Sequence, residues 1–554
     1  MPETRTPSRL TELLSRFRRD RRANVAVIFA FALLPILAAV GCATDYTEAT
    51  RIKAKMQAAA DAAAVASVSK NSAAWQAAVN MTSNGPVAAG VTEANNIYNG
   101  NIYNFASLYT NPSVTSTVTK TGVNLTSNVQ FSAQVPVTFM KVLGWQNMTI
   151  GGSSSATSSL PRYIDFYLML DVSGSMGLPS TSSEAVRMQN ISPDNNVQYP
   201  TGCTLACHFA QPPLTPPPNQ SGNQLKNSAC IDPSPNTPAG NPTVTQKYPT
   251  GNYCLGYEIS RISQAAYAQL LANHSGKLPS YKYTVVSASS PVPQPTAFYS
   301  TSASFPNDPI LTPVSSCPTA GTDSCIQLRL DAVGYAVSQL LATATSPTYQ
   351  IIPNEFRVGL YPYITSMYQT YAPLTNSLTG SIVTAANNLA TLLDTNTNAN
   401  LGSGGTNQDA ALNTMNGLIT NVGDGSSPTS TLPYVFIVTD GAVTPQTKGV
   451  PFGGWSGSNH DTVIANPDTN CTAMKNKGIK IAILYIPFQK INPVNASFAG
   501  DEDDAANNNI PNIPGSLKAC ASNNFFYTAN SPQDITNLLQ LMFQQALTEA
   551  HVTN

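Results

Sequence analysis

Residues 24–43, NVAVIFAFALLPILAAVGCA, run for twenty positions without a charged side chain. As a helix rising about 1.5 Å per residue, this run spans the roughly 30 Å hydrocarbon core of a bilayer. Pro35 bends such a helix without disqualifying it. Upstream lie seven arginines (Arg5, Arg9, Arg16, Arg18, Arg19, Arg21 and Arg22) against Glu3, Glu12 and Asp20, a net of +4. The positive-inside rule then makes residues 1–23 a cytoplasmic basic tail and sends residues 44–554 out of the cytoplasm. A cleaved secretory signal has a shorter apolar region, usually about 7–15 residues. A lipoprotein signal ending at Cys42 puts Ala39 where leucine is usual. The length favours an uncleaved, single-pass anchor.

Composition agrees with export. Only 10% of the 554 residues are charged, against about 25% in an ordinary soluble domain. The net charge of −1 argues against a nucleic-acid partner, while 42% apolar residues suffice for real cores. Beyond Cys42 there are eight cysteines, an even count that reads as disulfides in an oxidising compartment. We expect Cys471–Cys520, both beside the last predicted strands, and Cys317–Cys325. The Cys203-x3-Cys207-His208 cluster is the alternative metal site, but no second cluster has zinc-like spacing.

Past the anchor, residues 44–70 are alanine-rich without glycine or proline, so the helix is expected to continue outward. Residues 113–157 alternate Thr, Ser and Val in period two, which predicts a β-rich module within residues 44–160. From residue 161 the pattern changes again. IDFYLMLD (164–171), FRVGLYPYI (356–364), YVFIVTD (434–440), IKIAILYIPF (479–488) and FFYTA (525–529) read as buried strands. Helical patterns alternate with them at 325–344, 381–393, 409–419, 471–478 and 535–547. This alternation predicts an α/β domain over 161–554, a mostly parallel sheet with helices on both faces. Residues 178–325 interrupt it with 21 of the 42 prolines and six of the nine cysteines, an insertion with one helix expected at 257–274. The acidic run Asp501-Glu502-Asp503-Asp504 lacks calcium-loop spacing and is expected to be a solvated loop.

Three short features fall at strand or loop ends. Asp171-Val172-Ser173-Gly174-Ser175 follows the first buried strand, Gly404-Gly405-Thr406 precedes a helix, and Thr439-Asp440-Gly441 ends YVFIVTD. Loops after the carboxyl ends of parallel strands converge on one crevice, so the three can meet. They offer carboxylates and hydroxyls with no nitrogen or sulfur, a donor set suited to a hard cation such as Mg²⁺, or Mn²⁺ or Ca²⁺.

The D-x-S-x-S, lone Thr and T-D-G set resembles the metal-ion-dependent adhesion site of von Willebrand factor type A domains. The resemblance implies the Rossmann-like fold of those domains, with Asp171, Ser173, Ser175, Thr406 and Asp440 as coordinating positions. Ser173, Ser175 and Thr406 would bind directly, and the aspartates directly or through water. The N-terminus, RFRRDRRANVAVIFAFALLPILAAVG followed by DY and AAADAAAVA, resembles TadG-type proteins of Flp (tight adherence) pilus assembly. That resemblance implies an inner-membrane anchor, a small pilin-like β-rich module and a C-terminal von Willebrand A domain. It also implies Flp/Tad pilus or secretion-complex proteins as partners. Processed pilin-like relatives carry Gly before the apolar run and Glu five residues into it; here Ala23 and Ile28 stand there.

The expected function is adhesion or assembly, with an acidic residue of a partner completing the metal site. A purely structural ion is the alternative. A metal-dependent envelope hydrolase is the remotest, because the motif loops hold no spare Glu, His or Lys to act as base. No GxxxxGK[ST] phosphate loop or Ser/Cys–His motif occurs.

Overall fold

Alanine spacing decides what the first helix does once it leaves the apolar run. The computed structural model describes residues 21–191, 243–246, 260–273, 281–284, 309, 314–394, 398–450, 455–490 and 502–552. The basic tail before residue 21, Cys203, Cys207, His208, Cys230, Cys254 and Asp501 lie outside them. Contacts divide the chain into two units, Met1–Leu160 and Pro161–Asn554.

In the first unit, helix α1 (Arg21–Ser67) runs unbroken through the apolar segment and beyond, with Pro35 inside it. Among the described residues it is the one helix long and apolar enough to cross a membrane. Its first half leaves Val25, Phe31, Leu34, Leu37 and Val40 exposed, whereas Ala49, Ile52, Met56, Ala59, Ala60, Ala63 and Ala64 are buried. Those positions recur every three or four residues and form one helical face. They pack on α3 (Ala88–Ile102) and on an antiparallel meander of β1 (Thr110–Thr121), β2 (Asn124–Pro136) and β3 (Asn147–Ser159). Along β2, Leu125, Ser127, Val129, Phe131, Ala133 and Val135 alternate inward, as the period-two pattern requires. A short helix, α2 (Ala73–Val79), is capped by the Ser72 hydroxyl, which accepts from Trp75 N–H. Neither α2 nor α3 was expected from sequence.

The second unit is built on one six-stranded sheet. Its strands are β4 (Ile164–Asp171), β5 (Phe356–Tyr363), β6 (Ala372–Thr375), β7 (Leu432–Thr439), β8 (Lys480–Tyr485) and β9 (Phe526–Thr528), in spatial order β9-β8-β7-β4-β5-β6. Every pairing is parallel except β5 with β6. The four-residue β6, APLT, sits at the edge, where its proline is tolerated. Every residue of β4 is buried, so it reads as a continuous apolar run rather than an alternation.

Alternate β4 side chains feed two cores. Phe166, Leu168 and Leu170 meet α6 (Arg329–Ala344), α7 (Ser381–Asn387) and α12 (Pro532–Val552) on one face. Tyr167 and Met169 meet α8 (Gln408–Leu418), α9 (Thr469–Asn476) and α11 (Ile513–Cys520) on the other. Phe166 is ringed by Phe356, Tyr434, Phe436 and Phe543 with centroids 5.1–6.1 Å away. Cys471–Cys520 ties α9 to α11, and Cys317–Cys325 closes a short loop before α6, as expected.

The insertion leaves and rejoins this frame at one place. Pro179 bridges Leu328; Ser180 N–H donates to Gln327 C=O (2.9 Å) and Arg329 N–H to Leu178 C=O (2.8 Å). Its described parts include α4 (Ser182–Ile191) and α5 (Gln264–Asn273), the latter within the expected helix. Buried Arg261 forms a bidentate pair with Asp331 (2.9 and 2.7 Å), fastening the insertion to α6. The acidic run departs from its expectation: Glu502–Asn509 is a helix, α10, whose Ala506 is buried. Three carboxylates at a helix N-terminus complement its dipole, which favours helix over loop.

Candidate metal centre

Strand order places the motifs. From β4 the chain builds outward to β5 and β6 on one side, then crosses back to β7, β8 and β9 on the other. The crevice at the carboxyl ends of β4 and β7 is therefore the point where the topology reverses. Asp171 is the last residue of β4, and Asp440 immediately follows β7.

Both oxygens of Asp171 are held. Oδ1 accepts from Ser173 N–H (3.0 Å) and Ser173 Oγ (2.6 Å), while Oδ2 accepts from Thr439 Oγ1 (2.7 Å). This local turn leads into a short 3-10 segment, Gly174–Gly177, and leaves the Ser173 and Ser175 hydroxyl oxygens 3.4 Å apart. Thr439 Oγ1 in turn accepts from Gly441 N–H (2.9 Å). Asp440 Oδ1 accepts a long bond from Ala442 N–H (3.4 Å), and its Oδ2 has no hydrogen-bond partner. The nearest cation is buried Arg329, the first residue of α6, whose Nη1 lies 3.9 Å from that oxygen and is itself without a hydrogen bond.

The third loop arrives by backbone pairing. Thr406 and Thr444 exchange both N–H···O=C bonds at 3.0 Å, four residues past Asp440, and Asn407 N–H donates to Ile364 C=O just beyond β5 (2.8 Å). Asn407 Oδ1 then caps α8 by accepting from Ala410 N–H. Ser403 Oγ and Gly404 N–H both donate to buried Asp394. Gly405 is required by space: a Cβ there would lie 2.2 Å from Gln446 O and 2.4 Å from Thr444 O. Asp171, Ser173, Ser175, Thr406 and Asp440 are all buried at this edge.

Burial and the neighbouring charge of Asp440 push the Asp171 carboxyl up to about 7, against the bonds from Ser173 and Thr439. Burial also raises Asp440, opposed by Arg329 and the Ser175 hydroxyl. Tyr363, at the end of β5, is pushed well up by burial and by Asp171. Two buried carboxylates thus face one buried guanidinium, with a carboxylate oxygen left over. Oxygen donors with an orphaned anionic oxygen fit a hard divalent cation, which would replace the missing neutralisation. Among the described residues no cluster of three His, Cys, Asp or Glu offers a competing site.

Arg329, Thr439 and Tyr363 were not singled out from sequence. A buried arginine opening an apolar helix is the signal that points to the first. Thr439 lay within the T-D-G motif but was not among the coordinating positions.

The order β9-β8-β7-β4-β5-β6, numbered along the sheet domain as 6-5-4-1-2-3 with an antiparallel edge strand, is the Rossmann-like architecture of von Willebrand factor type A domains. The N-terminal resemblance is also borne out: residues 23–74 match the family described as "Putative Flp pilus-assembly TadE/G-like". A comparison with curated proteins finds no match. Solved structures similar to this chain include proximal thread matrix protein 1 from the mussel byssus (16% identity, 39% of this chain and 43% of that one, TM-score 0.24). The pilus adhesin SpaC from Lactobacillus rhamnosus GG is similar at 10% identity over 79% of this chain and 35% of that one (TM-score 0.28). The von Willebrand domain of the type V pili tip protein Mfa5 from Porphyromonas gingivalis is similar at 11% identity over 40% and 89% (TM-score 0.25). The chain spans less than half the length of the first two. Identities and scores this low transfer no binding activity.

Proposed function

We propose that this protein is a membrane-anchored, envelope-exposed component of Flp/Tad pilus assembly. In this reading its α/β unit binds a protein partner or surface through a divalent cation held by Asp171, Ser173, Ser175, Thr406 and Asp440. The observation that carries it is the buried Asp171–Asp440 pair at the topological switch point, with Asp440 Oδ2 lacking a hydrogen bond. The family match over residues 23–74 supports the pilus context.

Bound Mg²⁺ would supply an open coordination position for an Asp or Glu of the partner. The chain's own residues prepare that position. Ser173 and Thr439 fix the Asp171 carboxylate, the Thr406–Thr444 pairing holds the second loop, and Gly405 lets the loops touch. Both carboxylates at the site are used in holding the ion, leaving neither as a free general base, so the reading is of a binding protein. In this reading residues 1–23 stay in the cytoplasm and residues 44–554 lie outside the inner membrane.

Titration of Mg²⁺ or Mn²⁺ into the purified full-length protein should give saturable binding. Asp171→Ala and the milder Ser175→Ala should weaken it at least about tenfold, or roughly 1.4 kcal/mol. Wild-type protein that binds no divalent ion while fully folded would overturn the reading. If Asp171→Ala fully restores surface pili in a deletion strain, the ion is structural rather than adhesive.

A further inference from the structure

The loop joining β2 to β3 exposes an apolar cluster outside the membrane run itself. Its sequence is VTFMKVLGWQ (137–146), and Phe139 is 53%, Val142 86%, Leu143 57% and Trp145 56% exposed. Four large apolar side chains on a ten-residue loop need a covering environment.

The loop is held against α1 by hydrogen bonds. Asp45 accepts three backbone N–H bonds, from Thr138 (3.0 Å), Phe139 (2.8 Å) and Met140 (2.7 Å). Phe139 lies so close to Gly41 that a Cβ on the glycine would come within 2.6 Å of it. The loop closes on itself through Val137 N–H to Gln146 C=O and Trp145 N–H to Met140 C=O (both 3.2 Å). Gly144, at φ +92, makes the return turn.

Gly41 and Asp45 stand at the outward end of the apolar run 24–43. The cluster is therefore continuous with the exposed face of α1 at Leu37 and Val40, and Tyr46 is exposed beside it on the helix. Tryptophan and tyrosine with one lysine, Lys141, is the composition of a membrane–water boundary: amphipathic rings at headgroup level, a cation able to reach the phosphates.

We propose that this loop is seated in the outer-leaflet interface of the same bilayer that α1 crosses, with Phe139, Val142, Leu143 and Trp145 among the upper acyl chains. Any occupant must cover both the loop and the end of the anchor, and lipid already surrounds the anchor. The unit is then fixed in height and tilt at the membrane surface. The proposal rests on the reading of 24–43 as a transmembrane segment.

The test reconstitutes full-length protein into phosphatidylcholine–phosphatidylglycerol vesicles brominated at shallow or deep acyl positions. Trp145 emission is taken as wild type minus Trp145→Phe, an exposed replacement that leaves the core untouched. A second reporter, Phe31→Trp in the Trp145→Phe background, reads the anchor. Trp145 emission that is blue-shifted and lost more with shallow than deep bromines, with the Phe31→Trp reporter lost more with deep ones, supports the proposal. An unquenched Trp145 beside a quenched anchor reporter overturns it and leaves the anchor reading intact, making a protein partner or a second copy the occupant. Loss of quenching at both positions overturns the anchor reading and the proposal together.

Discussion

Asp171 ionises against its surroundings, and the sign of that conflict can be measured. Its carboxyl is raised from the ordinary 3.8 to about 7, so the folded chain holds this proton more tightly than the unfolded one. With divalent ions chelated, the stability this group contributes is full below about pH 4 and declines as the pH rises towards about 7. Thermal unfolding in EDTA should show Tm falling across that window, and Mg²⁺ should flatten the profile; a Tm independent of pH in EDTA would contradict the burial argument. Gly405→Ala should act differently. It drives a methyl group against two backbone oxygens, so destabilisation of about 1–3 kcal/mol is expected whether or not the ion is present. Denaturant melts with and without Mg²⁺ separate the two effects. The residues of the candidate site were legible because each motif is contiguous, with Ser173 and Ser175 set two residues apart by one turn. Arg329 was not, since only folding brings the start of α6 beside Asp440.

Strands and helices of the sheet domain were readable to different degrees for physical reasons. β4, β5, β7 and β8 are mostly apolar because both faces are covered, and such runs stand out in a polar, proline-rich chain. The β6 edge strand has four residues, one of them proline, and carries no periodic signal. In the first unit, α3 reads AAGVTEANNIYNGNI, where two glycines and four asparagines mask the helix. Gly90 is there for close approach, since a Cβ would meet Ala74 at 2.6 Å and Val118 at 2.8 Å. The Cys471–Cys520 link joins two helices across 49 residues. Restricting an unfolded chain over that distance is worth about 4 kcal/mol on the chain-entropy estimate. Replacing both cysteines by serine should lower unfolding stability by that order, and more than the same change at Cys317 and Cys325, which close only 8 residues. Equal losses for the two pairs in denaturant titrations would count against this ranking.

The whole chain combines a segregated charge distribution with two separately cored units. Seven arginines precede the apolar run, while the first unit packs the alanine face of α1 beyond that run and the second builds the sheet domain. Protease added to spheroplasts should therefore degrade residues beyond about 44 while leaving the basic tail protected. An epitope at residue 1 that is destroyed in intact spheroplasts would reverse the proposed orientation. The division of labour was visible in the sequence as three changes of periodicity. The composition alone suggested a single bias and hid it.

The bridge between Pro179 and Leu328 has a further effect. The chain departs from the frame and returns to it at adjacent hydrogen-bonded positions. The number of residues in the excursion is thus uncoupled from the spacing between the Asp171 turn and α6. Lengthening the segments there is felt mainly as closure entropy, only about 0.6 kcal/mol for each doubling. Whole stretches of sequence could be added or removed at this point while the crevice at the ends of β4 and β7 keeps its dimensions, so a change in the excursion need carry no penalty in the geometry of the candidate site.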